Sequence, residues 1–258
     1  MNKYFFVLVF FSLIGRLNAQ YWFGPKIGFQ KTDYIYEDME YKDTYDISTD
    51  YNYHGGIAVT YLASRQYSVH GELNYEKYQK DLTNRPEFES VTSKSVNHFL
   101  SLPLLLRFNY EISPVMFYLN GGVKLSYWIS GNGHLGGHFL EEGAFPTRDY
   151  KVIFEEQESF DNTRPYLENP NRFQYSLVLG TGMYFHIVNN SHIMVDLRYS
   201  FGHSNMGSNG SFDFDFDTYE ENFEYRHNTL SLSLGYMLEL NVESLMRGKS
   251  TFKSKKKK

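Results

Sequence analysis

Between His192 and Phe201 the chain reads His-Ile-Met-Val-Asp-Leu-Arg-Tyr-Ser-Phe, and every odd-numbered position is apolar. Successive side chains of an extended chain point to opposite faces. Ile193, Val195, Leu197, Tyr199 and Phe201 therefore share one face, and His192, Met194, Asp196, Arg198 and Ser200 the other. A sheet in water turns the ionised face outward. A closed sheet in lipid turns the apolar face outward and shuts the acid and the base inside. Recurrence of the pattern, and the length of the connections between its copies, decide between the two.

The period recurs seven more times. Tyr21 to Thr32 sets Phe23, Pro25, Ile27 and Phe29 against Gly24, Lys26, Gly28 and Gln30. Tyr53 to Leu62 sets Gly55, Ile57, Val59 and Tyr61 against His54, Gly56, Ala58 and Thr60. Tyr67 to Tyr78 opposes Tyr67, Val69, Leu73 and Tyr75 to His70, Glu72, Asn74 and Glu76. Asn97 to Phe108 is almost wholly apolar from Ser101 to Phe108, and Arg107 marks its inner face. Pro114 to Trp128 opposes Phe117, Leu119, Val123, Leu125 and Tyr127 to Tyr118, Asn120, Lys124 and Ser126. Phe173 to His186 and Arg226 to Leu240 complete the set, each with a leucine- and aromatic-rich face.

The connections are Asp33 to Asn52, Ala63 to Gln66, Gln79 to Ser95, Asn109 to Ser113, Ile129 to Arg172, Ile187 to Ser191 and Gly202 to Tyr225. They run long, short, long, short, long, short, long. That alternation predicts an all-β chain: an eight-stranded antiparallel up-and-down transmembrane β-barrel with long extracellular loops and short periplasmic turns. A soluble lipocalin also meanders, but it keeps charge outside. Here Lys26, Glu72, Glu76, Arg107, Lys124, Asp196 and Arg198 lie on the faces opposite the apolar ones. In a narrow lumen, charges of both signs pair and offset desolvation. Eight strands leave an interior that side chains fill.

Composition is compatible with this reading. A mean hydropathy of -0.48 suggests a soluble protein, yet a barrel wall puts every second residue in the lumen and no run reaches helix-spanning length. Aromatic residues are 18% of the chain, which suits rings at both membrane interfaces. Without cysteine, disulfide and thiol chemistry are excluded. Residues 1–19, with Lys3 followed by an apolar run from Tyr4 to Ile14, read as a secretory signal peptide. An uncleaved anchor is the alternative, although the run falls short of the ~20 residues a spanning helix needs. The expected domains are that leader, a barrel over 20–240 and a basic periplasmic tail over 241–258.

The tail carries Arg247, Lys249, Lys253, Lys255, Lys256, Lys257 and Lys258. Such blocks are solvated and disordered, or they dock on an acidic partner. Asp213, Asp215, Asp217 and Glu224 have the outline of a calcium loop, but Thr218 stands where the sharp turn needs glycine. A looser cation site on the acidic loops is the remaining possibility. His54, His98, His203 and His227 fall near the outer rim. His203 and Ser204 are adjacent, so on an extended chain they point apart and cannot share a proton. No enzyme activity, cofactor or nucleic-acid partner is expected.

Five segments, Gly24-Pro-Lys-Ile-Gly28, Gly71-Glu-Leu-Asn-Tyr75, Leu102-Pro-Leu-Leu-Leu-Arg107, Leu197-Arg-Tyr-Ser-Phe-Gly202 and Ser233-Leu-Gly-Tyr236, resemble in order and spacing the PorT-type outer-membrane β-barrel proteins of diderm bacteria that use type IX secretion. The resemblance implies an outer-membrane location, and an even number of strands puts the C-terminal end on the same, periplasmic side as the processed N-terminus. It also implies a non-enzymatic accessory role in an outer-membrane secretion or assembly complex, with protein partners besides lipid. The long third loop and the tail depart from that family. A surface protein that binds a ligand, a cation or a host molecule through acidic, tyrosine-rich loops is the alternative, and a small porin the third reading.

Overall fold

The computed structural model describes residues 20–49, 51–84, 91–137, 147–152, 154, 171–187, 190–207, 211–213 and 220–241. The expected leader, the tail beyond Asn241, and Asp215 and Asp217 lie outside the described residues. The elements in chain order are β1 (Gln20–Tyr36), α1 (Met39–Thr44), β2 (Tyr45–Ser48), β3 (Asn52–Leu62), β4 (Tyr67–Asn84), β5 (Val91–Ile112), β6 (Val115–Gly137), β7 (Thr147–Lys151), β8 (Phe173–His186), β9 (Ser191–Gly202), β10 (Ser211–Asp213), β11 (Glu220–Asn222) and β12 (Tyr225–Asn241).

Each of the eight long strands pairs antiparallel with its neighbours in the chain. The last, β12, returns to β1 from Gln20↔Asn241 to Tyr36↔Tyr225. Gln20 also pairs Leu62, so both ends of the wall lie beside the short turns.

Exposure along the wall is inverted relative to a water-soluble domain. Leu230, Leu232, Leu234, Tyr236, Leu238 and Leu240 of β12 are exposed, as are Leu100, Leu102, Leu104, Leu106, Phe108 and Tyr110 of β5. Ten residue steps from Leu230 to Leu240, at ~3.3 Å each and inclined by roughly 40°, rise about 25 Å, the height of the apolar band of an outer-membrane barrel. Aromatic side chains border this band. Phe29, Tyr53, Tyr75, Phe173 and Tyr175 are exposed toward the long connections, and Tyr67, Phe108, Tyr110, Phe117 and Phe185 toward the short turns.

The main sheet holds ten strands rather than the expected eight. Above the apolar band β4, β5 and β6 run on into segments expected to be loops, where polar residues occupy both faces and no alternation marks a strand. Two short strands pair with these extensions: β2 with Asp81 to Asn84, and β7 with Asn132 to Gly136. They supply partners for backbone groups that would otherwise be open edges. The expected loop from Asp33 to Asn52 is likewise folded. In it Asp38 caps α1 by accepting the amides of Glu40 and Tyr41. Between His98 and Phe99 the β5–β6 register slips by one, which makes Ile129 an extra residue in β6. The parity of β6 reverses there: Trp128 and Leu135 are both buried, and His134 faces outward.

Candidate functional site

The alternation of β1, β4, β5, β6 and β9 aims seven charged side chains at the interior, and Lys26, Glu72, Glu76, Arg107, Lys124, Asp196 and Arg198 are all at most 5% exposed. Glu72 is the hub. Its carboxylate receives Lys26 Nζ at 2.9 Å on each oxygen, Arg198 Nη2 at 2.7 Å and Asn74 Nδ2 at 2.8 Å. His70 Nε2 lies 2.6 Å away, and His70 Nδ1 is 2.7 Å from the Thr60 hydroxyl. A carboxylate only accepts, so Nε2 carries the imidazole proton and Thr60 donates to Nδ1. The Tyr184 hydroxyl then donates to Thr60 at 3.2 Å, and Arg107 Nη1 donates to Tyr184. One directed chain of donors therefore runs from Arg107 to Glu72.

Asp196 forms the second centre. It accepts Tyr118 Oη at 2.6 Å, Arg198 Nη2 at 3.1 Å, Asn120 Nδ2 at 3.3 Å and Arg107 Nη2 at 3.5 Å. The Arg107 guanidinium also lies 4.1 Å from the centre of the Tyr118 ring. Glu76 is the third. It accepts Ser101 Oγ at 2.6 Å, Lys124 Nζ at 3.2 Å and the Tyr78 hydroxyl. Four cations thus face three carboxylates. Between the Glu72 and Glu76 groups is a cavity of about 20 Å³ lined by Lys26, His54, Glu72, Glu76, Lys124 and Arg198. It has room for about one water molecule.

The two ends of the interior differ. Toward the long connections Tyr36, Tyr41, Tyr45, Tyr78, Phe99, Trp128, Tyr150, Phe223 and Tyr225 form one buried cluster. Lys80 sits within it, fully buried, donating to Tyr36 Oη at 3.1 Å with its ammonium 4.7 Å from the Tyr225 ring centre. Toward the short turns a cavity of about 640 Å³ opens over a floor of Trp22, Tyr184 and His192, with Arg65, Glu111 and His186 at its rim. Trp22 stacks on His192 with ring centres 4.1 Å apart.

The remaining candidates do not converge. His54 is buried 2.9 Å from Ser233 Oγ, His227 is buried against Tyr78 and Phe99, and His98 and His203 lie on the outer surface. Ser204 accepts the Tyr175 amide at 3.0 Å, a structural contact. Asp213 pairs with Glu220 in the β10–β11 hairpin, while Glu224 lies apart on the approach to β12. Among the described residues no group of His, Asp and Glu is placed to hold a metal ion. Sequence reasoning missed Lys80, because the strand was ended at Tyr78. The parity of Glu72, Glu76 and Tyr78 carried two residues further would have found it. Tyr118 and Tyr184 were missed as hydrogen-bond donors because an interior tyrosine reads as packing.

Buried charge, an exposed apolar band and this pairing of strands belong to one kind of protein. The family of outer membrane protein beta-barrel domains matches residues 16–208. The chain belongs to that family. It is an integral outer-membrane β-barrel protein of a diderm bacterium, with both ends of the barrel on the periplasmic side. No match is found among curated proteins. Solved structures to which the barrel is similar include the outer membrane protein OprG from Pseudomonas aeruginosa, with 8% identity over 86% of this chain and 95% of that one and a TM-score of 0.44. The attachment invasion locus protein Ail of Yersinia pestis, crystallised with the heparin analogue sucrose octasulfate, shares 13% identity over 84% and 99%, TM-score 0.36. The outer membrane protease OmpT from Escherichia coli shares 11% over 86% and 96%, TM-score 0.40.

Proposed function

We propose that this protein is a closed, eight-stranded, non-enzymatic and non-conducting barrel that acts as a surface-binding protein through a folded acidic cap. The observation that carries this reading is the end of β1 together with the segment after it. It turns Tyr36, Tyr41 and Tyr45 into the aromatic cluster and leaves Asp33, Glu37, Asp38, Glu40, Asp43 and Asp46 exposed. A solvated acidic loop would spend binding energy on ordering itself, whereas a cap held by buried rings meets its ligand already shaped. The chemistry it suits is cationic: a basic protein surface or a polyamine-like ligand attracted by a field in which six exposed carboxylates outnumber Lys31 and Lys42. The filled lumen supports a barrel that works at its rims. Replacing residues 37–48 by a short turn should leave a folded barrel that no longer retains polylysine, and retention by the parent should fall steeply with salt. Equal retention by the two proteins would refute the reading.

A second reading, the accessory subunit of a secretion or assembly complex implied by the PorT-type resemblance, draws on the opposite end. The periplasmic cavity of about 640 Å³ has an aromatic floor and a charged rim, the composition of a pocket that receives an anchor residue of a partner protein. Copurification with and without residues 241–258, and with Trp22→Ala, tests it. An unchanged set of partners in both variants would count against it.

A further inference from the structure

Below its outer aromatic ring the described lipid-facing wall is apolar but for Thr181, and at the height of that ring β1, β4 and β5 present basic side chains side by side. In register, Phe29 of β1 faces Tyr53 of β3, whose chain neighbour His54 pairs Glu76, and Lys77 pairs His98 of β5. Phe29, Tyr53, Lys77 and His98 therefore form one outward row. Lys31 stands one outward position further along β1 and is exposed. The Lys77 ammonium lies 5.5 Å from the centre of the Tyr53 ring. The Tyr75 hydroxyl is 2.6 Å from His98 Nδ1, and their rings stack at 5.6 Å. With Tyr75 donating to Nδ1, the His98 proton is on Nε2, the ring atom left to donate elsewhere. Among the described residues neither Lys31 nor Lys77 is ion-paired. Asp33 is the carboxylate on the same face of β1, one outward position beyond Lys31.

One row toward the membrane centre lies Gly55, between Ile27 and Tyr75. A Cβ there would meet only Ile27 Cγ2 and the Lys26 carbonyl, each at 3.6 Å. The wall is thus indented directly beneath the basic row, with an apolar side chain and a ring as its flanks. Lys31 and Lys77 are separated by the single strand β3 and offset by two residues along it, so their backbones lie roughly 12 Å apart. Donors at headgroup height above an apolar notch have the layout of a lipid site with a phosphate above and an acyl chain below.

We infer that Lys31, Lys77 and His98 bind the phosphate of a phosphorylated glycolipid of the outer leaflet, one of whose acyl chains lies in the notch at Gly55. Lysines that merely snorkel to the interface would show no preference among lipids. The test is native mass spectrometry of the full-length protein in detergent, with bisphosphorylated lipid A, the same lipid dephosphorylated, and inorganic phosphate as probes. The parent should retain one lipid A, retain the dephosphorylated lipid poorly, and keep its lipid in excess inorganic phosphate. Lys31→Ala with Lys77→Ala should lower retention at least about tenfold, Gly55→Leu should lower it without removing a charge, and Lys77→Arg should keep it. The heat-dependent shift in gel mobility reports folding, and Lys31→Gln with Lys77→Gln replaces the alanine pair if that pair fails it. Undiminished retention by the folded double variant, or equal retention of the dephosphorylated lipid, would overturn the inference. Displacement by inorganic phosphate would do so too, because it would make this a site for the free ion.

Discussion

Glu72→Gln is the sharpest probe of the interior, because it removes one charge and almost no volume. Glu72 Oε1 receives Arg198 at 2.7 Å, His70 at 2.6 Å and Lys26 at 2.9 Å, and Oε2 receives Lys26 at 2.9 Å and Asn74 at 2.8 Å. A glutamine has one acceptor oxygen, so whichever way its amide is turned its NH2 group confronts donors. The cavity beside it, about 20 Å³, admits too little water to solvate the two cations left behind. Both retain Asp196, with Arg198 at 3.1 Å and Lys26 at 4.0 Å, which caps the loss. Breaking a buried pair from one side costs about 3–5 kcal/mol, and the residual partner argues for the lower end, about 3 kcal/mol. Lys26→Met with Glu72→Leu removes one of the two stranded cations together with the acid and should cost less than Glu72→Gln, while Arg198, His70 and Asn74 still lose an acceptor and keep the loss above zero. The assay is reversible urea unfolding in lipid vesicles, followed by fluorescence of Trp22 and Trp128, the two tryptophans of the chain. A loss under about 0.5 kcal/mol for Glu72→Gln would show that solvent screens these charges, and the account of a filled interior would be wrong.

Other consequences are as direct. Leu234, exposed near the middle of the apolar band, should cost about 2–4 kcal/mol when changed to Arg, while Leu230→Arg at the outer border costs about 0–1 kcal/mol, both read from unfolding in vesicles; equal costs would mean that this face does not meet lipid. In planar bilayers the purified protein should give no steady conductance, and a stable open level would contradict the ion-paired lumen. Trp128, fully buried among Phe99, Phe154 and Phe223, should on change to Ala lose about 3–5 kcal/mol of packing. That loss falls on the outer cluster, so limited proteolysis should cut β6 and the connection after it while the wall stays intact, and an unaltered cleavage pattern would disprove the role of this ring.

Much of the wall could be read residue by residue. The inner face of β9 follows from Asp196 and Arg198 alternating with Val195, Leu197 and Tyr199, and the inner face of β4 from His70, Glu72, Asn74 and Glu76. The outer ends of β4, β5 and β6 could not be read in this way. Lys94, Ser95 and Asn97 show no contrast between faces, because a hairpin that stands above the membrane has water on one side and a small packed cluster on the other. The tyrosines of the acidic segment misled for a related reason. Tyr36, Tyr41 and Tyr45 looked like displayed ligand groups, yet they are buried, and the carboxylates, with Lys42 and Tyr51, are outside.

Alternation alone determined which side of the wall each residue of a membrane-spanning strand occupies, since a period of two is a local property of an extended chain. It also determined that charge lies within along the middle of the wall, because at that depth lipid makes a charge on the other face costly. Only the tertiary arrangement decided which acid meets which base. Glu72 joins Lys26, 46 positions before it, to Arg198, 126 positions after it. The register slip at Ile129 and the folding of the cap onto the outer end were decided there as well. Such meetings depend on the register and stagger of strands far apart in the chain, and a shift of two residues keeps every face intact while exchanging every partner.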